Sequence, residues 1–272
     1  MNIRKETVDG IAYYPYHDTV PVVDDGLLYH YTSIESAKII LRDLTLKLSD
    51  ARKFNDPSEG FVSDISMTSI GEMFALDSII DKTGILCFTK NQEIRGTVDC
   101  GYNRPRMWAQ YARNNTGVCI AINQKAFLKE NEETLKKGLY MVDSVKYRKA
   151  LKKIQKRHTL SDKELNCKIP RVFRDIFFEK YIDWRDEKEV RFLGVNLPDK
   201  LSIANSIQFV VLGSNISYYN LRDLVSIVND PNSCSYGKLG EMSFVRACYS
   251  AGGVEASSLC QYIDSQDVQF VK

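Results

Sequence analysis

The stretch Leu27-Leu28-Tyr29-His30-Tyr31-Thr32-Ser33-Ile34-Glu35 constrains the fold most, because an apolar run ends in two tyrosines and a histidine and turns directly into a helix start. Gly26 and Leu27–Tyr31 read as a strand, and Thr32-x-x-Glu35 reads as a capping box opening a helix from Ile34 to Arg42. Strand running straight into helix marks a chain that mixes α and β structure. Of three histidines, His17, His30 and His158, only His30 sits where a strand would deliver a side chain to the lip of a cleft beside a helix start. The plainer alternative makes Tyr29 and Tyr31 core aromatics and His30 a hydrogen-bonded bystander.

Bulk composition leaves the architecture open but excludes several classes. With 272 residues, 44% of them apolar and 11% aromatic, there is ample material for a packed core, and the expectation is one domain over 1–272. A net charge of +2 gives no global attraction to nucleic acid or membrane, so any such partner must be read from a local patch. The seven cysteines are widely spaced, with no Cys-x-x-Cys pair and no histidine cluster beside them, which predicts reduced thiols and no metal site. No signal-peptide core and no membrane-length apolar run is present, so a soluble cytoplasmic protein is expected.

Further along, Leu44–Leu48 alternates as a half-buried strand, and Phe54-Asn55-Asp56-Pro57-Ser58-Glu59 is a shaped, turn-rich loop. Gly84–Thr89 and Gly117–Ile122 are further strands, with Met107–Ala112 a short helix that puts Trp108 and Tyr111 on one side. Residues 127–170 read as a helical insertion, and Arg171–Trp184, with apolar positions three and four apart, as an amphipathic helix. Glu189–Val195 and Ile207–Leu212 read as strands and Leu221–Val228 as a helix, with Met242–Tyr249 and Val268–Val271 finishing the sheet.

Chemistry concentrates in Trp184-Arg185-Asp186-Glu187-Lys188-Glu189-Val190-Arg191-Phe192. Alternation along a strand would put Glu187, Glu189 and Arg191 on one face and Val190 and Phe192 on the other. A solvent-facing strand side with mutually offset charges has the same pattern. Carboxylates two apart, a histidine at a strand end and stacking aromatics also suit cleavage of a nicotinamide–ribose bond. Its oxocarbenium-like transition state needs a carboxylate that grips the ribose hydroxyls and stabilises positive charge, and Glu189 is the candidate. Tyrosine faces can hold the cationic nicotinamide.

The ordered motifs His30-Tyr31-Thr32, Phe54-Asn55-Asp56-Pro57 with Glu59, Cys87-Phe88-Thr89, Met107-Trp108 with Tyr111-Ala112, and Trp184 with Glu187, Glu189 and Arg191 resemble those of the bacterial domain-of-unknown-function family 2971. The resemblance runs from about residue 27 to Gly213. The leading segment in turn is similar to the opening Tyr-His-x-Thr of the ADP-ribosyltransferase superfamily, in its His-Tyr-Glu branch of DarT-type DNA-modifying toxins. The resemblance implies an α+β fold, an ADP-ribosyltransferase-like split β-sheet core with surrounding helices and a basic helical insertion. It implies NAD as substrate, no metal, Glu189 as the catalytic carboxylate with Glu187 beside it, and His30 and Thr32 on the adenosine-side ribose. Tyr31 or Tyr111 would be the stacking aromatic. Phe54, Asn55, Thr89, Trp108 and Arg191 complete the expected cofactor-binding set, although the wider superfamily does not fix the roles of Asn55, Asp56, Trp108 and Arg191. The chain departs from the superfamily in lacking a serine-threonine-serine motif, for which Thr89 is the nearest stand-in.

The expected activity is therefore NAD-dependent mono-ADP-ribosyl transfer, in the setting of a toxin or phage-defence effector with an antitoxin partner. The alternatives are an NAD or nucleotide glycohydrolase and a non-catalytic module that senses a nucleotide or nucleic acid. The basic run from Lys146 to Arg157 offers a phosphate track for a DNA or RNA acceptor through Lys149, Lys152, Lys153, Lys156 and Arg157. Without interleaved aromatics it is equally an ordinary solvated helix.

Overall fold

The computed structural model describes residues 6–8, 11–13, 26–52, 78, 80–94, 97–149, 176–239, 244–250 and 253–258. The main strands in chain order are β1 (Leu27–Thr32), β2 (Thr83–Lys90), β3 (Val118–Asn123), β4 (Leu139–Ser144), β5 (Glu189–Val195), β6 (Ile207–Leu212), β7 (Phe244–Ser250) and β8 (Gly253–Ser258). The helices are α1 (Ile34–Asp43), α2 (Pro105–Gln110), α3 (Gln124–Glu130), α4 (Glu132–Leu135) and α5 (Tyr218–Asn229), and Ile182–Glu187 forms a 3-10 turn. The class is mixed α+β, rich in strand and sparse in helix. None of the described helices is long and apolar enough to cross a membrane.

The chain divides into two compact units, one built from residues 1–45, 89–130 and 202–272 and the other from 46–88 and 131–201. The first unit carries a large mixed sheet. β1 pairs antiparallel with β3 along its whole length, from Leu27 opposite Asn123 to Thr32 opposite Val118. On its other side, Leu28 and Tyr29 pair with Lys90 and Thr89 at the end of β2. β3 pairs antiparallel with β6, β6 parallel with β7, and β7 antiparallel with β8. β3 is buried from Val118 to Ile122 and reads as an unbroken apolar run, as a strand covered on both faces must.

α1 follows β1 without a loop. Its cap is Ser33, whose side chain accepts from the Ser36 amide, one residue later than the capping box predicts, because Thr32 is drawn into the ladder as the last residue of β1. α1 buries Ile34, Ala37, Ile40 and Leu41, and α5 buries Leu221, Leu224 and Val228. Lys38 of α1 reaches Asp223 of α5 at 2.6 Å.

In the second unit β4 pairs antiparallel with β5, from Leu139 opposite Val195 to Ser144 opposite Val190, and β5 neighbours the first residues of β2. Ser49 and Asp50 pair on β2 opposite Ile85 and Gly84. Lys146–Arg148 runs parallel to Glu179–Tyr181.

Two sequence expectations need correction here. Within the supposed helical insertion, α3 and α4 are helical, but Leu139–Ser144 and Lys146–Arg148 are strands. Tyr140 and Val142 suit a pleated surface, and the facing edge of β5 takes up their backbone groups. Residues 150–170 lie outside the described residues. The amphipathic helix expected to Trp184 is helical only at Ile176 and Phe177 among the described residues, and then gives way to Glu179–Tyr181 as strand and the 3-10 turn. Burial of Phe177, Phe178, Glu179 and Lys180 in succession is a pattern an amphipathic helix cannot supply, since it turns part of every four-residue run to water. The loop at Phe54–Glu59 and the strand expected at Val268–Val271 lie outside the described residues.

Candidate functional site

The 3-10 turn ends at Glu187, and Lys188 takes a left-handed conformation (φ 49°) that reverses the chain so that β5 can begin at Glu189. This reversal lets two carboxylates two residues apart converge on the same cation. Lys180 donates to Glu187 Oε2 at 2.7 Å and to Glu189 Oε2 at 3.2 Å. Arg191, two residues along β5 and so on the same face as Glu189, grips it with both ends of one guanidinium edge. Its Nε donates to Oε1 at 2.7 Å and its Nη2 to Oε2 at 2.9 Å. The remaining Arg191 Nη1 donates to the Phe177 carbonyl at 2.6 Å, and the Glu189 amide donates to the Tyr147 hydroxyl oxygen at 2.9 Å. Trp184 lays its ring over the Lys180 ammonium, 4.8 Å from the centroid.

All four charged groups are nearly sealed, with exposures of 4% for Lys180, 1% for Glu187, 4% for Glu189 and 1% for Arg191. The expectation that strand alternation puts Glu187, Glu189 and Arg191 on one face holds for Glu189 and Arg191; Glu187 ends the 3-10 turn instead and joins them through Lys180, and the surface is an interior one and not a solvent-facing strand side. Burial by itself would raise the Glu189 pKa. The adjacent Arg191 charge, its hydrogen bonds and the Lys180 charge overcome that and bring it down to about 2. Desolvation likewise raises the Tyr147 hydroxyl.

In the first unit the motif residues form a packed aromatic core. Tyr31 meets Trp108 edge-on at 5.0 Å, and Tyr29 meets Tyr102 at 5.9 Å. Their polar atoms converge on one short segment. The Tyr31 hydroxyl donates to the Gly101 carbonyl at 2.9 Å, as does Thr89 Oγ1 at 2.7 Å, while Trp108 Nε1 donates to the Tyr102 carbonyl at 2.8 Å. Gly101 is required by this close approach, since a Cβ there would lie 2.2 Å from the Tyr29 ring.

Of the expected cofactor-binding set, Tyr31, Thr89 and Trp108 therefore have core partners, and Tyr111 ends α2 half-buried against the same cluster. His30 is half-buried on the opposite side of β1 from Tyr29 and Tyr31, and Thr32 is buried. Phe54 and Asn55, and the basic positions Lys152, Lys153, Lys156 and Arg157, lie outside the described residues, while Lys149 is exposed.

Lys180 and Tyr147 are the members of the ionic cluster that sequence reasoning missed. The available signal for Lys180 was a lone Glu-Lys pair following Phe177-Phe178, a place where an apolar run admits charge only if the charge is paired. Among the described residues no group of three or more His, Cys, Asp or Glu side chains is placed to hold a metal ion. The five described cysteines, Cys87, Cys100, Cys119, Cys234 and Cys248, are free thiols.

Neither the curated proteins nor the solved structures include a match to this chain. Residues 107–192, from the start of the Trp108 motif through the whole Lys180–Arg191 cluster, match the model of a family described as a protein of unknown function (DUF2971).

Proposed function

We propose that this protein is an NAD-consuming enzyme of the ADP-ribosyltransferase type, with Glu189 as the carboxylate that stabilises the oxocarbenium-like ribose. The observation that carries the reading is the state of Glu189. It opens a strand, is held anionic with a pKa of about 2, and is fixed in orientation by a two-bonded arginine. A carboxylate that stays charged and cannot rotate is suited to stabilising positive charge as a glycosidic bond loosens. Glu187, on the same lysine, is its companion. The proposed acceptor is a nucleic acid reached through the Lys149–Arg157 run, and a toxin or phage-defence setting with an antitoxin partner is proposed on the family resemblance alone.

The experiment is nicotinamide release from NAD by the full chain, with and without DNA or RNA. Expected is release that Glu189→Gln abolishes; the variant also loses stability, because Arg191 and Lys180 lose their buried carboxylate, so release is compared at a temperature where circular dichroism shows both proteins folded. Transfer is distinguished from glycohydrolysis by whether label from NAD appears on the nucleic acid or only as free ADP-ribose. Equal release from the variant removes Glu189 from the mechanism.

A second reading, a nucleotide-binding module without turnover, is favoured by one fact: the Glu189 oxygens already accept from Arg191 and Lys180 and are nearly sealed from solvent. It predicts NAD binding with no nicotinamide release and an unchanged affinity in Glu189→Gln.

A further inference from the structure

Arg104 stands just before α2 in the first unit, with its side chain only 10% exposed. Its Nη1 donates to Asp99 Oδ2, and the other Asp99 oxygen accepts from Asn103 Nδ2 at 3.2 Å. Arg104 Nε and Nη2 are buried and have no hydrogen-bond partner among the described residues. Those two atoms form one edge of the guanidinium, with parallel N–H bonds spaced to match two oxygens of a single carboxylate or phosphate. Asp99 approaches end-on at Nη1 and leaves that edge free.

Gln92 sits directly opposite Asp99 in the antiparallel pair formed by Gln92–Ile94 and Thr97–Asp99. Its Oε1 is likewise buried without a partner, and a half-turn of the amide would present an NH2 group there instead. Leaving charged donors dry and unmatched is among the most costly arrangements a fold can keep, and it is normally a place where something else binds. The Arg191 guanidinium, more deeply buried still, has every nitrogen satisfied.

We propose that the Nε–Nη2 edge of Arg104 is a binding point for an oxyanion, a phosphate or carboxylate group of a ligand, with Asp99 holding the guanidinium in place. Because Asp99 offsets the arginine charge, selection rests on two-point hydrogen bonding, and a lysine at position 104 cannot substitute.

The test titrates the full chain with inorganic pyrophosphate and, separately, with citrate, following the Arg104 Nε–H resonance of the unmodified protein and the melting temperature of the protein and its Arg104→Lys and Arg104→Gln variants. Expected is a saturable movement of the Arg104 Nε–H resonance and a rise in melting temperature with one of the two probes, which identifies phosphate or carboxylate as the source. Both variants should bind that probe at least tenfold more weakly. An Arg104 resonance unmoved by either probe at millimolar concentration, or an equal melting shift in Arg104→Lys, overturns the proposal. No readout depends on NAD turnover, so this inference and the NAD reading fail separately.

Discussion

Removing the Arg191 guanidinium should be among the most destabilising single changes available in the second unit. In Arg191→Met the stem is replaced at similar volume, but Glu189 loses both hydrogen bonds of its bidentate partner and the Phe177 carbonyl loses its donor. Breaking a buried ion pair from one side costs about 3–5 kcal/mol, because the other charge is left dry. Lys180 remains 3.2 Å from Glu189, which places the expectation near the lower end, at about 3 kcal/mol. The loss should also depend on pH in a defined direction. Glu189 in the intact protein titrates at about 2, against an ordinary value of 4.5, so its contribution is complete above the ordinary value and disappears as pH falls through the window between them. In the variant Glu189 has a pKa near or above the ordinary value and loses no such contribution in that window. The gap between the two proteins should therefore shrink by about 2 kcal/mol on going from pH 7 to pH 3, at about 1.4 kcal/mol per pH unit below the ordinary value. Urea denaturation at both pH values measures it. A loss under about 1 kcal/mol at pH 7, or a gap that does not change with pH, would show that Arg191 does not hold Glu189 in its charged form.

Gly101→Ala forces a methyl group to within 2.2 Å of the Tyr29 ring and 2.8 Å of Thr89 Oγ1, so a loss of about 3 kcal/mol is expected in denaturant titration, and a loss below 1 would mean that this segment yields easily. Trp108→Phe removes the indole donor from the Tyr102 carbonyl in the aromatic core and should cost about 2 kcal/mol, read from the same transition. Ser33→Ala removes the side-chain cap of α1 and should lower stability by about 1 kcal/mol, whereas Thr32→Val should not act through the cap at all; a larger effect at Thr32 would move the cap back by one residue. Lys188→Gly relieves the left-handed backbone before β5 and should raise the melting temperature by a few degrees, corresponding to about 0.5–1 kcal/mol; a fall would place Lys188 in contacts that matter more than its φ.

The strands were legible where a local pattern suffices. Glu189–Val195 and Ile207–Leu212 coincide with β5 and β6 because short runs dense in Val, Ile, Leu and Phe, interrupted only by Glu189, Arg191, Gly194 and Gln208, have few other uses. The cap of α1 was displaced by one residue because Thr32 and Ser33 are both competent, and only the pairing of Thr32 with Val118 decides between them. Arg171–Trp184 misled for a different reason: apolar residues at helical spacing also arise when a strand and a turn are each half-apolar, and Lys180 becomes an interior residue only because carboxylates seven and nine positions later return to it. The aromatic motifs were visible as residues but not as roles. Whether Tyr31 and Trp108 face a ligand or each other depends on Gly101 and Tyr102, about seventy positions beyond Tyr31, and no window of local sequence holds that information.

The ionic cluster also sets a condition on any chemistry at Glu189. Among the described residues two carboxylates and two cations balance formally, so the field they present to an approaching cation is that of an ordered network and not of a free anion. For Glu189 to stabilise a developing oxocarbenium, one of its oxygens must exchange Lys180, the longer of its contacts, for a ribose hydroxyl, while Glu187 retains the lysine. Lys180→Met therefore separates the two functional readings. In a working transferase it removes one of the two donors on Glu189 Oε2, which Arg191 Nη2 still holds, and changes nicotinamide release far more than NAD affinity. In a module that only binds, it changes neither and lowers stability alone, since Glu187 and Glu189 then lose the buried cation they share.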